Sequence, residues 1–303
     1  AVEEGDGGER GNAPEPIRVQ PREMKGNVLI IHQPKKFHLS EPNVLLLDYA
    51  QAAVDEGEFS ARTEILRLDN RIREQLNLPR RGQDIVAQPW YDAGETYSHR
   101  VRLRYEFFSD VAAEGCWLAM EHPEKARIHF NGMEVRQEDA WYVDWSIRRL
   151  ELPVISKGVN LLEISMPFGK NTNLESVYIL GHFGVELGPV NKIIAFPGNL
   201  GFGDITHQRL PFYTGNVIYQ SSFLLNEDGD IGIKVPYFSN PVLEVSVDGQ
   251  SRGLIAFQPH QLPVRGLKKG IHKIEICAYG NRFNTFGPLH NSNQDYIWYG
   301  PDS

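Results

Sequence analysis

Hydrophobic and polar residues alternate along much of the chain, with the period of two that a half-buried β-strand shows. The run from Val101 to Phe107 is a clear case, because Val, Leu, Tyr and Phe alternate there with Arg and Glu. Many other short apolar runs are separated by Gly, Pro, Asn-Gly or Asp-Gly steps. Short strands at a spacing of about 8–12 residues are typical of sandwiches and jelly rolls. The pattern predicts an all-β protein, with no alternating β-α units.

One strand–turn–strand unit occurs twice, first over residues 126–168 and again over residues 243–280. In each copy an Asn-Gly or Asp-Gly step joins two alternating strands, and a Lys-Gly step begins the long returning strand. Asn-Gly and Asp-Gly favour a type I′ hairpin turn, because both central residues of that turn need a positive φ. The four turns are Asn131-Gly132, Lys157-Gly158, Asp248-Gly249 and Lys269-Gly270. The duplication predicts two tandem β-sandwich (jelly-roll) domains.

The domain boundaries follow from composition and from turn signals. Residues 1–25 are rich in Gly, Glu and Pro, which predicts a linker or a disordered segment. Residues 26–188 form the predicted first sandwich, and residues 189–303 form a second one that lacks a recognisable final strand. One inserted helix is predicted over about residues 63–76, where apolar residues fall mostly on one face and a proline follows.

Composition limits the classes of partner. The chain has 303 residues, a net charge of -8 and no run of basic residues, which excludes nucleic acid as an expected partner. No apolar stretch approaches the roughly 20 residues of a membrane span, so no membrane partner is expected. Cys116 and Cys277 both lie on predicted strands, and we expect buried free thiols. Two cysteines do not fix the compartment; we favour an extracellular or periplasmic location over a cytoplasmic one.

No motif for a nucleophile, a resident metal or a nucleotide cofactor is present in the sequence. The segment 226–230, NEDGD, resembles a calcium loop, but Ile231 and Tyr237 stand where an EF-hand needs Gly and Glu. We interpret this segment as a hairpin turn and expect no cofactor. A structural calcium ion held by other loop carbonyls stays open, because such sites leave little trace in a sequence.

Four carboxylates could in principle serve glycoside hydrolysis, which needs two of them about 5–10 Å apart. They are Asp144, Glu175, Asp204 and Glu275. Spacing along the sequence cannot pair residues across a sandwich. Asp144 lies between aromatic residues, the best local setting for a sugar contact or an acid. We favour the simpler interpretation, a turn carboxylate that accepts backbone N–H groups.

The aromatic residues at predicted loops and strand ends suggest carbohydrate binding. Sugar rings have apolar faces that stack on indole and phenol rings while nearby polar groups bind the hydroxyls. The candidate contacts are Trp141, Tyr142 and Trp145, together with Asp144 and then Trp90 and Trp298. The alternative is that these rings close the ends of a sandwich or pack in a domain interface.

The first copy of the repeated unit resembles the galactose-binding-like β-sandwich of large bacterial glycoside hydrolases. That group includes the sugar-binding domain of family 2 enzymes and the accessory domains of family-106-like α-L-rhamnosidases. The resemblance covers roughly residues 42–300, and in the second copy Ile271-His272 replace its Val-Asn pair and the aromatic-Asp pair is missing. The residues that carry it are Asn131, Gly132, Trp141, Asp144, Ile147, Lys157, Gly158 and Asn160.

The resemblance implies a C-terminal accessory region whose catalytic domain lies upstream in the same polypeptide. Its expected partners are carbohydrate and that catalytic domain, and its expected function is non-catalytic, with carbohydrate binding. Two alternatives stay open. One is a free-standing double jelly-roll enzyme that cleaves glycans. The other is a structural domain-interface module, for which the helix over 63–76 offers a docking element.

Overall fold

The computed structural model describes residues 27–80, 97–136, 139–281 and 284. Within these residues the chain forms one α-helix, two short 3-10 helices and twenty-one strands, which confirms the predicted all-β, β-sandwich class. The strands are β1 Val28–Ile30, β2 Lys36–Leu39, β3 Asn43–Leu47, β4 Tyr49–Val54, β5 Thr63–Glu64, β6 His99–Ser109, β7 Trp117–Glu121, β8 Arg127–Phe130, β9 Met133–Glu134, β10 Trp141–Tyr142, β11 Asp144–Glu151, β12 Gly158–Phe168, β13 Val177–Gly181, β14 Gly184–Glu186, β15 Lys192–Ile194, β16 Val217–Leu225, β17 Gly229–Lys234, β18 Leu243–Val247, β19 Gln250–Ile255, β20 Gln261–Leu267 and β21 Gly270–Ala278.

The first sandwich contains a five-stranded sheet of order β10-β11-β7-β13-β3. Its second sheet has the order β14-β15-β6-β12-β8-β9, with β4 paired to β6 and β5 paired to β4. The alternation along β6 puts Val101, Leu103, Tyr105 and Phe107 in the core and leaves the arginines between them on the outer face. One continuous cluster of buried apolar side chains joins the two sheets.

The second sandwich pairs a three-stranded sheet, β1-β17-β20, with a five-stranded sheet of order β19-β18-β21-β16-β2. It has a separate cluster of buried apolar side chains, to which β16, β18 and β21 contribute alternate residues. Each sandwich therefore has its own sheets and its own core, as a tandem arrangement of two sandwiches requires.

The duplicated unit adopts the same geometry in both sandwiches. Asn131 and Gly132 have φ values of 50° and 80°, and Asp248 and Gly249 have φ values of 53° and 77°, as a type I′ turn requires. In each copy the hairpin strand (β8 or β18) pairs antiparallel with the long returning strand (β12 or β21). That strand then pairs with β6 or β16.

The N-terminal strands belong to the second sandwich, although they lie within the range 26–188 that the sequence assigns to the first. β1 pairs parallel with β17, and β2 pairs antiparallel with the edge of β16. At the other end, β15 lies beyond Gly188 but pairs with β6 of the first sandwich. The physical reason is that an edge strand has unpaired backbone N–H and C=O groups. Each of these short strands pairs with such groups on a sheet, although it is distant in sequence from the strand that it covers. Residues 1–25 lie outside the described residues.

The single α-helix, α1, runs over Ile65–Gln75, two residues shorter at its start and one shorter at its end than predicted. The Glu64 carboxylate caps it by accepting the backbone N–H groups of Leu66 and Arg67, both at 3.0 Å. Its buried face includes a fully buried ion pair, Arg73 Nε to Asp69 Oδ2 at 2.8 Å. The Arg73 guanidinium also donates to the carbonyls of Lys170 and Thr172, so the helix is fastened to the loop after β12.

Candidate functional site

The aromatic hairpin, residues 141–151, places the predicted sugar contacts at the edge of the first sandwich. β10 contributes Trp141 and Tyr142, and β11 returns from Asp144 with only Val143 between them. Tyr142 is buried in the core, whereas the indole-bearing residues Trp141 and Trp145 are 58% and 72% exposed. A buried anchor between two exposed rings holds the hairpin while it presents both indoles to solvent.

Val143 holds the hairpin in a costly backbone conformation. Its φ is 62°, in the left-handed region that β-branched residues rarely adopt, at a cost of about 1–2 kcal/mol. The surrounding pairing sustains it, because Tyr142 is paired with Asp144 across the turn and β11 pairs with β7 over five residues. Retained backbone strain next to two exposed rings is a feature of ligand sites, where it fixes a preorganised surface.

Asp144 is a turn carboxylate, as the simpler interpretation of the sequence expects. Its Oδ1 accepts the Ser146 backbone N–H at 2.9 Å and the Ser146 hydroxyl at 2.8 Å. These hydrogen bonds, the backbone one above all, lower the pKa of Asp144 below its ordinary value. An ionised carboxylate suits a hydrogen-bond acceptor for a sugar hydroxyl better than a general acid, which has to carry a proton at the working pH.

One face of the five-stranded sheet continues from Trp145, and it becomes more buried with distance from the hairpin. Alternation along β11 puts Trp145, Ile147 and Arg149 on the face opposite the buried Leu150. The Arg149 guanidinium lies over the ring of Trp117 on β7, at 4.8 Å from its centroid. This arrangement fixes a guanidinium and an indole side by side, with donors available for hydroxyl oxygens.

Tyr178 adds a fixed phenol to the same face. It is the cross-strand partner of Ala119, which in turn pairs with Arg149 on the other side. Burial raises the pKa of Tyr178 to about 12, with Glu175 and Glu121 adding to the effect. The phenol therefore keeps its proton. None of Trp117, Arg149 and Tyr178 is predicted as a site from the sequence, and their only signal is alternation along predicted strands.

The other candidate carboxylates are dispersed rather than paired. Asp204 begins a short 3-10 helix, and its Oδ1 accepts both the backbone N–H and the hydroxyl of Thr206, at 2.9 and 2.7 Å. These bonds, led by the hydroxyl, lower its pKa. Glu275 lies on the outer face of β21 and accepts from Gln220 at 3.0 Å. Glu175 lies in the loop before β13, in the first sandwich. Asp144 and Glu175 therefore belong to the first sandwich, whereas Asp204 and Glu275 belong to the second.

The remaining sequence predictions concern two tryptophans, the segment 226–230 and the two cysteines. Trp90 and Trp298 lie outside the described residues. The segment 226–230 is a turn between β16 and β17, where Asp228 accepts the Lys269 backbone N–H at 2.7 Å and pairs with Lys268. Both cysteines are free, Cys116 buried and Cys277 half-buried, and burial raises both thiol pKa values, that of Cys116 to about 11.

The part of the chain that the structure describes has neither a metal cluster nor a membrane-spanning helix. No group of three or more His, Cys, Asp or Glu side chains suited to a metal ion occurs there. No helix in these ranges has the length and apolar character needed to cross a bilayer. Two surface depressions, one beside Tyr219 and one beside Tyr49, have empty volumes of about 160 and 230 Å³.

No family model matches the sequence, and no curated protein matches it. Solved structures do match. A β-D-mannosidase from Dictyoglomus thermophilum has a TM-score of 0.31 and 13% identity over 78% of this chain and 31% of its own. A rhamnosidase from Novosphingobium sp. PP1Y has a TM-score of 0.25 and 13% identity over 63% and 19%. A family 2 β-galacturonidase from Eisenbergiella tayi has a TM-score of 0.24 and 12% identity over 82% and 38%.

This chain therefore spans less than two fifths of each of these glycoside hydrolases. All three TM-scores lie below 0.5, so the fold assignment rests on the sheets and registers described above. The activities of those proteins supply no argument for this chain.

Proposed function

We propose that this chain is a non-catalytic carbohydrate-binding region that holds a polysaccharide against the aromatic hairpin. The observation that carries the proposal is the pair of exposed indoles, Trp141 and Trp145, on a strained hairpin anchored by the buried Tyr142. Exposed tryptophans are costly unless they meet a ligand or a partner, since each adds a large apolar surface to water. Sugar rings present apolar faces of matching size.

The polar groups beside the indoles complete a sugar-binding surface. Asp144 keeps Oδ2 free of hydrogen bonds among the described residues, because Ser146 engages only Oδ1. The Arg149 guanidinium, which lies over Trp117 on the face that carries Trp145, supplies further donors. The proposal also places this region in a larger glycoside hydrolase, with an upstream catalytic domain as its partner.

The experiment is retention of the purified chain in native gels cast with individual polysaccharides, with release of reducing sugar followed in parallel. We expect Trp141→Ala and Trp145→Ala each to weaken retention about tenfold, since loss of one stacked ring costs roughly 1–1.5 kcal/mol. Tyr237→Ala and Phe257→Ala are matched controls, because these rings are 68% and 84% exposed on the second sandwich. Retention that survives loss of both indoles, or release of reducing sugar by the chain, would contradict the proposal.

A domain-interface module is the second candidate function, and one observation favours it. Leu224 and Ile271 are direct cross-strand partners on the outer face of the second sandwich, and both are more than half exposed. Opposed apolar side chains in water suit a protein contact better than a sugar contact. Under this candidate, Leu224→Ser together with Ile271→Ser would lower association with the upstream domain and leave polysaccharide retention unchanged.

A further inference from the structure

The outer face of the first sandwich gathers arginines from two strands around one serine. Ser165 on β12 has Arg102 of β6 as its cross-strand partner on one side and Arg127 of β8 on the other. Arg100 reaches the same point, because its Nη1 donates to the Ser165 hydroxyl at 3.3 Å. We name Arg100, Arg102, Arg127 and Ser165 the arginine face. Alternation directs all four away from the core.

The carboxylates near the arginine face are already engaged. Glu163, which lies two residues before Ser165 on β12, accepts a hydrogen bond from Arg104 Nε at 2.8 Å. Asp55, directly after β4 and beside the start of β6, pairs with His99 Nδ1 and accepts the Arg100 backbone N–H, both at 2.9 Å. Among the described residues, neither Arg100 nor Arg127 has a carboxylate oxygen within 4 Å. Arg100 and Arg127 therefore flank Ser165 without a neutralising partner, in a chain whose net charge is -8.

The geometry suits an oxyanion. Alternate residues on a strand are about 6.6 Å apart and neighbouring strands about 4.8 Å apart, so long arginine side chains on the two strands that flank Ser165 can converge on one group. Arg102 is held in place, since Nη2 donates to the Gly57 carbonyl at 2.9 Å and its guanidinium lies over the Phe59 ring. Guanidinium groups bind carboxylate or sulfate with two parallel hydrogen bonds.

We propose that the arginine face binds a carboxylate or sulfate group carried by an acidic polysaccharide. This inference rests on the proposed function and names the class of polysaccharide that it takes. A glycan chain is the occupant that fits, because the face lies flat on a sheet rather than in an enclosed pocket and its excess charge is positive. A free inorganic anion is the alternative that the test separates.

The test compares polysaccharides with the same backbone and different charge. Dextran sulfate is compared with dextran, and carboxymethyl cellulose with hydroxyethyl cellulose, in native affinity gels at low and high NaCl. We expect the acidic member of at least one pair to retain the chain about tenfold more strongly than the neutral one. Arg100→Gln with Arg127→Gln should remove that preference, and salt should weaken it, since the screening length falls from about 10 Å at 0.1 M to about 3 Å at 1 M.

The matched control is Arg265→Gln with Lys273→Gln, which removes the same charge from two exposed residues of the second sandwich. An equal loss in this control would overturn the proposal, as would equal retention on acidic and neutral backbones. No retention on any polysaccharide, together with calorimetric binding of millimolar sodium sulfate that Arg100→Gln with Arg127→Gln removes, would assign the face to a small anion and would refute both proposals. Equal retention on both backbones that is lost in the Trp141→Ala and Trp145→Ala variants would refute only the acidic class and leave the proposed function standing.

Discussion

In both sandwiches, side-chain hydrogen bonds tie the hairpin turn to the returning strand, and we call this set of bonds the turn lock. The residues that form it differ between the two sandwiches. In the first, Asn131 Nδ2 donates to Asn160 Oδ1 at 2.8 Å, and Asn160 Nδ2 donates to the Ser156 carbonyl at 2.7 Å. In the second, Asp248 Oδ2 faces His272 Nδ1 at 2.6 Å, and His272 Nε2 faces the Lys268 carbonyl at 2.7 Å. The positions correspond one for one.

Only a protonated His272 satisfies both of its neighbours. Its two ring nitrogens face a carboxylate and a carbonyl, which are both acceptors, so both nitrogens must donate. The hydrogen bond to Asp248 raises the pKa of His272 above its ordinary value of 6.5, and the Lys268 carbonyl adds to the shift. The same bond to His272, with the Lys273 backbone N–H, lowers the pKa of Asp248. The neutral Asn131–Asn160 lock has no such dependence.

The sign of the pH dependence follows from these shifts. The contribution of His272 is fully present below pH 6.5 and is lost as the pH rises through the raised pKa of the folded state. The contribution of Asp248 is present above 3.8, its ordinary pKa, and is lost as the pH falls through the lowered pKa. The lock is therefore strongest between about pH 4 and 6.5.

The magnitude is modest because one partner is exposed. The His272 side chain is 9% exposed, but that of Asp248 is 45% exposed. A hydrogen bond between charged groups contributes about 1.5–3 kcal/mol when sheltered, whereas exposed ion pairs contribute about 0–1 kcal/mol. We expect about 1 kcal/mol in the free energy of unfolding, or roughly 4 °C in the melting temperature of a domain of this size.

The assay is calorimetric unfolding at pH 5.5 and pH 8.5 of the wild type and of Asp248→Asn with His272→Asn. The wild type should lose about 1 kcal/mol in its free energy of unfolding between pH 5.5 and pH 8.5. The double variant gives the second sandwich the Asn–Asn pair of the first, so this loss should disappear. Other histidines cancel in the comparison because both proteins contain them. The reciprocal change, Asn131→Asp with Asn160→His, should create the dependence in the first sandwich. An unchanged difference between the two pH values in the first double variant would refute the reasoning.

Three further predictions concern stability and rigidity. Arg73→Met should lower the free energy of unfolding by about 3–5 kcal/mol in urea titrations, because it removes the buried ion-pair partner of Asp69. The control is Arg67→Met at an exposed position of the same helix, which should change the free energy of unfolding by less than about 0.5 kcal/mol. Gly280→Ala should disrupt the second sandwich, since a Cβ there would lie 2.2 Å from the Gly215 carbonyl oxygen, while Gly198→Ala, with nothing within 4 Å, should unfold at the wild-type temperature. Val143→Gly should stabilise the chain by about 1 kcal/mol, because glycine adopts a positive φ without strain. The same change should weaken polysaccharide retention, because glycine makes the hairpin less rigid. A lower stability of this variant in calorimetry would contradict the assigned strain.

Local signals in the sequence predict local structure well. Asn131-Gly132 and Asp248-Gly249 form the predicted type I′ turns, because the required positive φ values leave few other choices. The alternation of Val101, Leu103 and Tyr105 defines the buried face of β6. Helix α1 lies within the predicted range, since its apolar face and its following proline are both local features.

Partners distant in sequence could not be predicted. β1 pairs its Val28 with Gly232, and nothing near Val28 specifies that partner. The same reason explains why Trp117 and Arg149 were missed, since alternation shows that a strand has two faces but not which neighbours share the outer one. The replacement of Val-Asn by Ile271-His272 is visible in the sequence, but only the contact with Asp248 shows that the lock is retained as an ion pair.

The central claim is that Trp141 and Trp145 hold a sugar, and the most direct measurement is an NMR titration of the tryptophan indole N–H signals with neutral and acidic oligosaccharides. Single alanine variants assign the Trp141 and Trp145 signals among those of the five tryptophans. The account predicts saturable shifts of both exposed indoles at the same oligosaccharide concentration. Shifts confined to other tryptophans, or none with any oligosaccharide that the chain retains in gels, would contradict it.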